Sequence, residues 1–181
     1  NILLESFKNP LFIMNIDPTQ VLKGNLLVVD DTPNNLRFLA TTLGEQGYKV
    51  RSVTNGKMAL TVAQAALPDL ILLDIRMPEM DGYQVCQRLK ANKKTREIPV
   101  IFLSALDEAI NKVQAFAVGG VDYISKPFQL EEVLARIENQ IKLRTAQAEI
   151  QKLNSELELR VIQRTAQLER EIAERQKVQE Q

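Results

Sequence analysis

Short apolar runs recur along the chain at residues 26–29, 50–53, 70–73, 100–103 and 121–124. The segments between them carry apolar residues at helical spacing. Leu36, Leu39, Ala40 and Leu43 share one helical face, with Pro33 placed for a first helical position and Gly47 for a stop. Val85, Cys86 and Leu89 repeat the pattern after Asp81 and Gly82, and Ile110, Val113 and Ala117 do so before Gly119 and Gly120. Strands alternating with helices predict parallel βαβ units. Strands that are apolar throughout suit a sheet covered on both faces, so the expected fold is an α/β doubly wound five-stranded parallel sheet.

The rhythm changes after Phe128, beyond which no Gly or Pro occurs up to Gln181. Leu130, Val133, Leu134, Ile137 and Ile141 would lay a last helix on the sheet. The helical sequence then continues, and about 50 residues at about 1.5 Å each reach on the order of 75 Å, past any sheet it could cover. Ile150, Leu153, Leu157, Val161, Leu168 and Ile172 extend an apolar seam, with an extra step of four at Leu157 to Val161 that resembles a stutter. A lone helix with a thin seam needs a partner, which predicts a coiled coil joining a parallel homodimer. The plainer alternative is a solvated, fraying tail. The expected organisation is a lead-in over 1–24, a domain over 25–143 and a helical extension over 144–181, with the helix continuous from about 130. Met14 reads as a natural start after a foreign leader of residues 1–13, and the stop in mid-heptad at Gln181 reads as a trimmed longer protein.

Composition removes several function classes. The chain has no histidine, so it carries no histidine kinase centre, no His-based triad and no His-containing zinc site of its own. Its formal net charge is zero, so no global basic field draws nucleic acid or an anionic membrane. No apolar run approaches the roughly 18 residues of a membrane span, so no membrane insertion is expected. The single cysteine, Cys86, is on the apolar side of a helix; it reads as an inert core thiol in a reducing, cytoplasmic setting. Lys90, Lys93, Lys94 and Arg96 read as a solvated basic loop.

The polar residues that close the apolar runs carry the chemistry. Asp30 and Asp31 follow the first run, Asp74 ends "LILLD", Ser104 ends "VIFLS" and Lys126 ends "VDYISK". In a doubly wound sheet the carboxyl ends of the strands border one crevice, where ligands bind. Three carboxylates gathered there repel, at about 3 kcal/mol for a pair about 5 Å apart at an effective dielectric of 20. Such a cluster takes up a proton or a cation. Oxygen donors without His or Cys suit a hard ion, Mg²⁺ or Mn²⁺. An aspartate nucleophile, a divalent cation, a lysine and a hydroxyl are the parts needed to form and hold an acyl phosphate.

With these residues in place, the sequence resembles the response-regulator receiver domains of two-component signalling. The matching stretches are "VVDD" at 28–31, "LLDIRMPEMDG" at 72–82, "FLSA" at 102–105 and "YISKPF" at 123–128. The likeness covers about residues 25–143. It implies a flavodoxin-like fold with strand order 2-1-3-4-5 and a role as signalling phosphoacceptor, with no enzyme in this chain itself. It also implies site roles. Asp74 would be the phosphoacceptor. Asp31 and Asp74 would be direct ligands of Mg²⁺ or Mn²⁺, with the backbone carbonyl of Arg76 as the third and Asp30 acting through water. Lys126, before a Pro127 whose peptide bond is often cis, would bind the phosphoryl group. Ser104 would be the switch hydroxyl and Tyr123 the aromatic that turns inward. Ser104 stands where Thr is commoner; Arg76 and Leu106 occupy positions that tune phosphoryl lifetime; Ala105 is small, as access requires.

The leading expectation is a receiver phosphorylated at Asp74 by a histidine kinase or phosphotransfer protein. The change would pass through the face of the fourth helix, fifth strand and fifth helix into the dimeric linker, towards an output module. The competing reading is a constitutive dimeric scaffold with an unphosphorylated receiver. An aspartate-nucleophile phosphatase is disfavoured, because the second Asp of its Asp-x-Asp loop is here Arg76. A leucine-zipper DNA binder is disfavoured too. Residues 144–181 hold seven basic and seven acidic side chains with no separate basic block, so no direct nucleic-acid contact is expected.

Overall fold

A computed structural model of the chain describes residues 22–105 and 112–179. The proposed lead-in up to residue 21, Met14, Leu106 and Ile110 lie outside the described residues. The elements run β1 (Gly24–Val29), α1 (Pro33–Glu45), β2 (Tyr48–Val53), α2 (Gly56–Ala65), β3 (Leu70–Asp74), α3 (Gly82–Ala91), β4 (Val100–Ala105), α4 (Lys112–Ala117), β5 (Asp122–Lys126) and α5 (Leu130–Gln179). The five strands form one parallel sheet in the order β2-β1-β3-β4-β5. The alternating pattern predicts the parallel doubly wound sheet, and the order is the flavodoxin-like one that the resemblance implies.

Alternation along each strand sorts the core into two layers. Leu27, Val29, Ile71, Leu73 and Phe102 pack on one face with Ala59, Ala63, Val85, Cys86, Leu89 and Ala115 from α2, α3 and α4. Leu26, Val28, Leu70, Leu72, Ile101 and Ile124 pack on the other with Leu36, Leu39, Leu43, Val133 and Ile137 from α1 and α5. Both faces are thus covered, which is why the strands read as unbroken apolar runs.

Local signals set the helix ends. Pro33 opens α1, and Gly47 takes φ 91 just after its end. Asp81 caps α3, its side chain accepting from the Gln84 backbone amide at 2.8 Å while the Gln84 side-chain oxygen accepts from the Asp81 backbone amide at 3.3 Å. One expectation fails in detail: Val113 is 78% exposed and Ala117 is exposed, while Ala115 is the buried residue of α4. The cause is the turn after the helix. The Gly120 amide bonds to the Ala115 carbonyl at 3.0 Å, and Gly120 lies so close to the Phe102 ring that a Cβ there would collide with it. That approach turns Ala115, not Val113, towards the sheet.

The chain divides into two compact units, one ending at Ile141 and the other beginning at Lys142. The second unit consists of the later turns of α5. Ile150, Leu153, Leu157, Val161, Leu168 and Ile172 are all exposed there.

Candidate functional site

The chain leaves β1 at Asp30, and the first turn of α1 holds that carboxylate. Asp30 is fully buried. Its Oδ1 accepts from the Thr32 amide at 2.8 Å, and the Asn35 side-chain amide donates to both its oxygens at 3.1 and 3.0 Å. Asp31, one residue on, is exposed, and the Thr32 hydroxyl reaches its Oδ1 at 3.4 Å. Asp74, the last residue of β3, is 4% exposed. One carboxylate oxygen from each of Asp30, Asp31 and Asp74 can be chosen so that all lie within 4.8 Å of one another.

Lys126, at the end of β5, reaches into this group. Its Nζ is 2.8 Å from Asp30 Oδ2 and 2.9 Å from Asp74 Oδ2. The following Lys126-Pro127 peptide bond is cis. Burial pushes the Asp74 carboxyl above its ordinary range; the hydrogen bond from Lys126 opposes this, and the Asp30 charge adds to it. Burial would lower the Lys126 ammonium, but its bonds to Asp30 and Asp74 outweigh that and hold it above the usual lysine value. One lysine therefore serves two buried carboxylates while Asp31 faces solvent, leaving the cluster with a net negative charge. Three oxygen ligands at this spacing, with no nitrogen or sulfur among them, fit a hard divalent cation.

A cavity of about 600 Å³ opens beside the cluster, lined by Asp31, Ile75, Arg76, Met77, Pro78, Asp81 and Tyr83. Arg76, in the loop after β3, thus borders the same cavity as Asp31. Ser104 is fully buried in β4, and its Oγ has no hydrogen-bond partner. Tyr123 is half-buried in β5, opposite Phe102 in the strand register, and the Arg136 guanidinium lies 5.8 Å from its ring centroid. The structure therefore brings Asp30, Asp31, Asp74 and Lys126 into direct contact or near it. Ser104 and Tyr123 stand on the adjoining strands.

Sequence reasoning missed Asn35 and Thr32, which hold Asp30 in place. The available signal was a polar residue in the first turn of the helix that follows the acidic pair. Gly82 was read only as a helix start; its amide bonds to the Ile75 carbonyl at 2.9 Å, and a Cβ on it would fall on the Asp74 carbonyl oxygen.

A parallel doubly wound sheet with an acidic cluster and a lysine at the carboxyl ends of its strands defines an α/β module whose carboxylates could hold a cation. The model of the response regulator receiver domain family matches residues 26–138, and the chain belongs to that family. Receiver domains bind Mg²⁺ at an acidic pocket and act as signalling phosphoacceptors served by histidine kinases or phosphotransfer proteins. Among curated proteins, the DNA-binding dual master transcriptional regulator RpaA of Synechocystis is 40% identical over 112 residues, 62% of this chain and 46% of that protein. The "Probable cyclic di-GMP phosphodiesterase" of Vibrio cholerae is 33% identical over 162 residues, 90% of this chain and 36% of that protein. The chain thus spans less than half the length of either relative. Among solved structures, the signal receiver domain of a signal transduction histidine kinase from Syntrophus aciditrophicus is 35% identical with a TM-score of 0.61, covering 66% of this chain and 90% of that one. No helix among the described residues is long and apolar enough to cross a membrane.

Proposed function

We propose that Asp74 is the phosphoacceptor of a receiver spanning 25–143, and that its state passes into a dimeric helical extension over 144–181. The supporting observation is the Lys126 ammonium held between Asp30 and Asp74, at 2.8 and 2.9 Å, inside a group of three carboxylates. A carboxylate oxygen of Asp74 attacks the phosphorus of a phosphohistidine on a kinase or phosphotransfer protein. The new P–O bond forms as the P–N bond breaks, and the imidazole leaves with the bonding electron pair, neutral because its other nitrogen carries a proton. Asp31, Asp74 and the Arg76 carbonyl would hold a Mg²⁺ or Mn²⁺ ion, with Asp30 acting through water, and the ion would supply charge neutralisation for the transferring oxygens.

Lys126 then moves one of its hydrogen bonds from Asp74 to a phosphoryl oxygen. The Ser104 hydroxyl, buried without a partner, gains one in the same way. Its movement frees space that the Tyr123 ring takes up, and the face of α4, β5 and α5 changes. Because α5 begins on this face and continues into the extension, the change reaches the dimer seam and an output module. The Vibrio cholerae relative, aligned over 90% of this chain, supports an output enzyme of the class its name gives. The single cysteine supports a cytoplasmic module, and the zero net charge supports one that touches neither nucleic acid nor membrane itself.

Labelling with radioactive acetyl phosphate tests the chemistry. Incorporation should require Mg²⁺, survive acid but not hydroxylamine, and vanish in Asp74→Asn. Label that persists in that variant would assign the acceptor elsewhere.

A further inference from the structure

We propose that the later turns of α5 pair in parallel and in register with a second copy of the chain through a seam that repeats every 11 residues. The product is a nearly straight rod of two helices with a slight right-handed twist, in place of an ordinary left-handed coiled coil. This rests on the dimeric reading above and specifies its partner and geometry.

The seam is Ile150, Leu157, Val161, Leu168 and Ile172, with steps of 7, 4, 7 and 4. These residues are 58, 59, 56, 43 and 55% exposed, so nothing within their own unit covers them. At a heptad's 3.5 residues per turn, each 11-residue interval rotates the seam by about 50°, and Ile172 would be about a quarter-turn or more from Ile150. At about 3.67 residues per turn, Ile150, Val161 and Ile172 fall on one line, with Leu157 and Leu168 about 33° to one side. Leu143 and Leu153 flank this stripe at its upper end, while Ile162 and Leu159 stand off it.

The heptad alternative has a physical cost. Continued unbroken from Ile150 and Leu153, it would bury Arg160, Arg164, Gln167, Glu171 and Glu174. Unpaired buried charges of that kind cost several kcal/mol each. Moreover, Arg164 donates to Gln167 at 2.9 Å, and Gln167 donates to Glu171 at 2.9 Å. Three of the five residues are thus joined in a hydrogen-bonded chain along one edge of the helix, beside the apolar stripe.

The period selects the occupant. Two helices wound at different pitches diverge, so an 11-residue seam needs a mate with the same repeat, and a second copy has it by identity. Charge and the apolar match together select the direction. Side by side in parallel, Arg160 faces the partner's Glu158, twice by symmetry. The unfavourable meeting of Glu171 with the partner's Glu169 is relieved by Arg175, one turn beyond Glu171. Two antiparallel arrangements each match four of these apolar residues, whereas the parallel pair matches all five. One, with Ile150 against Leu168, sets Arg160 against Arg160, Glu158 against Glu158 and Glu149 against Glu171. The other, with Leu157 against Ile172, gains Arg160 against Glu171 but sets Glu158 against Glu169 and leaves Ile150 unmatched.

Disulfide trapping of the full chain tests this, in a Cys86→Ala background whose helix content and melting match the native chain. Single substitutions to Cys go in at Ile150, Val161, Leu168 and Ile172, and at Arg160, Gln167 and Glu171. Under mild oxidation the first set should form dimers at least tenfold faster than the second. Ile150 and Ile172 should each cross-link to themselves, as only a parallel pair permits. Faster trapping at Arg160, Gln167 and Glu171 overturns the 11-residue seam. Trapping at Val161 without Ile150 and Ile172 overturns the parallel direction, and a monomer in sedimentation overturns the pairing. The same profile in Asp74→Asn separates this test from the phosphoacceptor reading, since trapping requires no phosphoryl group.

Discussion

Arg136 of α5 stands over the ring of Tyr123 in β5, its guanidinium carbon 5.8 Å from the ring centroid. It is fixed there by the Asp122 carboxylate, 2.6 Å from Nη1, and by Glu132 one turn back, 2.9 Å from Nη2. The side chain ties the helix to the strand that carries the aromatic. A half-exposed ion pair and cation–π contact of this kind contribute about 1 kcal/mol together. Arg136→Ala should therefore lower the unfolding free energy by about that amount in urea titrations. It should also broaden the Tyr123 ring resonances, because the ring loses the charge that holds its orientation. Unchanged Tyr123 resonances would separate Arg136 from the aromatic and leave only its pairing with Asp122 and Glu132.

The acidic cluster stores repulsion that a neutral isostere releases. Asp74 is nearly buried, and burial pushes its carboxyl upward, so at neutral pH the folded chain holds an ionised group in a site that disfavours the charge. Asp74→Asn keeps the shape and leaves Lys126 paired with Asp30. With EDTA present, that variant should melt about 2–6 °C above the native chain, corresponding to roughly 1 kcal/mol. Added Mg²⁺ should raise the melting temperature of the native chain and do little for the variant. A lower melting temperature for Asp74→Asn in EDTA would show that the Lys126 bond outweighs the repulsion.

Much of this was legible in the sequence because two periodicities were clean. Runs such as Leu70 to Leu73 could only be strands buried on both faces, and their polar ends marked the crevice before any geometry was known. Asp30, Asp31, Asp74 and Lys126 meet because all the strands run parallel, so the carboxyl ends of β1, β3 and β5 lie at the same end of the sheet. Two kinds of feature stayed hidden. Val113 and Ala117 have helical spacing, but the close approach of Gly120 to Phe102 decides which side of α4 faces inward, and spacing alone carries no such information. Asn35, in the first turn of α1, holds Asp30 from across the strand-to-helix junction, where the periods of strand and helix do not carry over from one to the other.

Gly82 couples the start of α3 to the backbone of Asp74 and Ile75. Its amide bonds to the Ile75 carbonyl at 2.9 Å, and a Cβ would meet the Asp74 carbonyl oxygen and lie 2.9 Å from Ile75 Cα. Both obstacles are backbone, so neither can swing aside. Gly82→Ala must push α3 away from the end of β3, displacing Asp74 and opening the packing of Val85 and Cys86. The expected loss is about 2–3 kcal/mol in equilibrium unfolding, as for other overpacked core sites. Acetyl-phosphate labelling should fall at least tenfold under conditions where the variant is still folded. Normal labelling in a folded Gly82→Ala chain would show that the site tolerates the shift.

Cys86 makes a pH prediction whose sign follows from its surroundings. The thiol is fully buried, and its Sγ lies 3.4 Å from the Val118 carbonyl. Burial pushes its pKa from the ordinary 9.0 to about 11, with the Lys90 charge opposing. In the folded chain the neutral thiol is thus favoured, and the unfolded chain releases its proton first. The stabilising contribution is complete below about pH 9, falls at about 1.4 kcal/mol per pH unit from there, and is exhausted above about pH 11. Cys86→Ala, which has no thiol to ionise, should lose less stability than the native chain between pH 8.5 and pH 10.5, by roughly 1–2 kcal/mol in urea titrations. At pH 8 the native thiol should resist a disulfide reagent until the protein unfolds. Rapid labelling of the folded chain at that pH would place Cys86 in an accessible, ionised state and remove it from the core between α3 and the sheet.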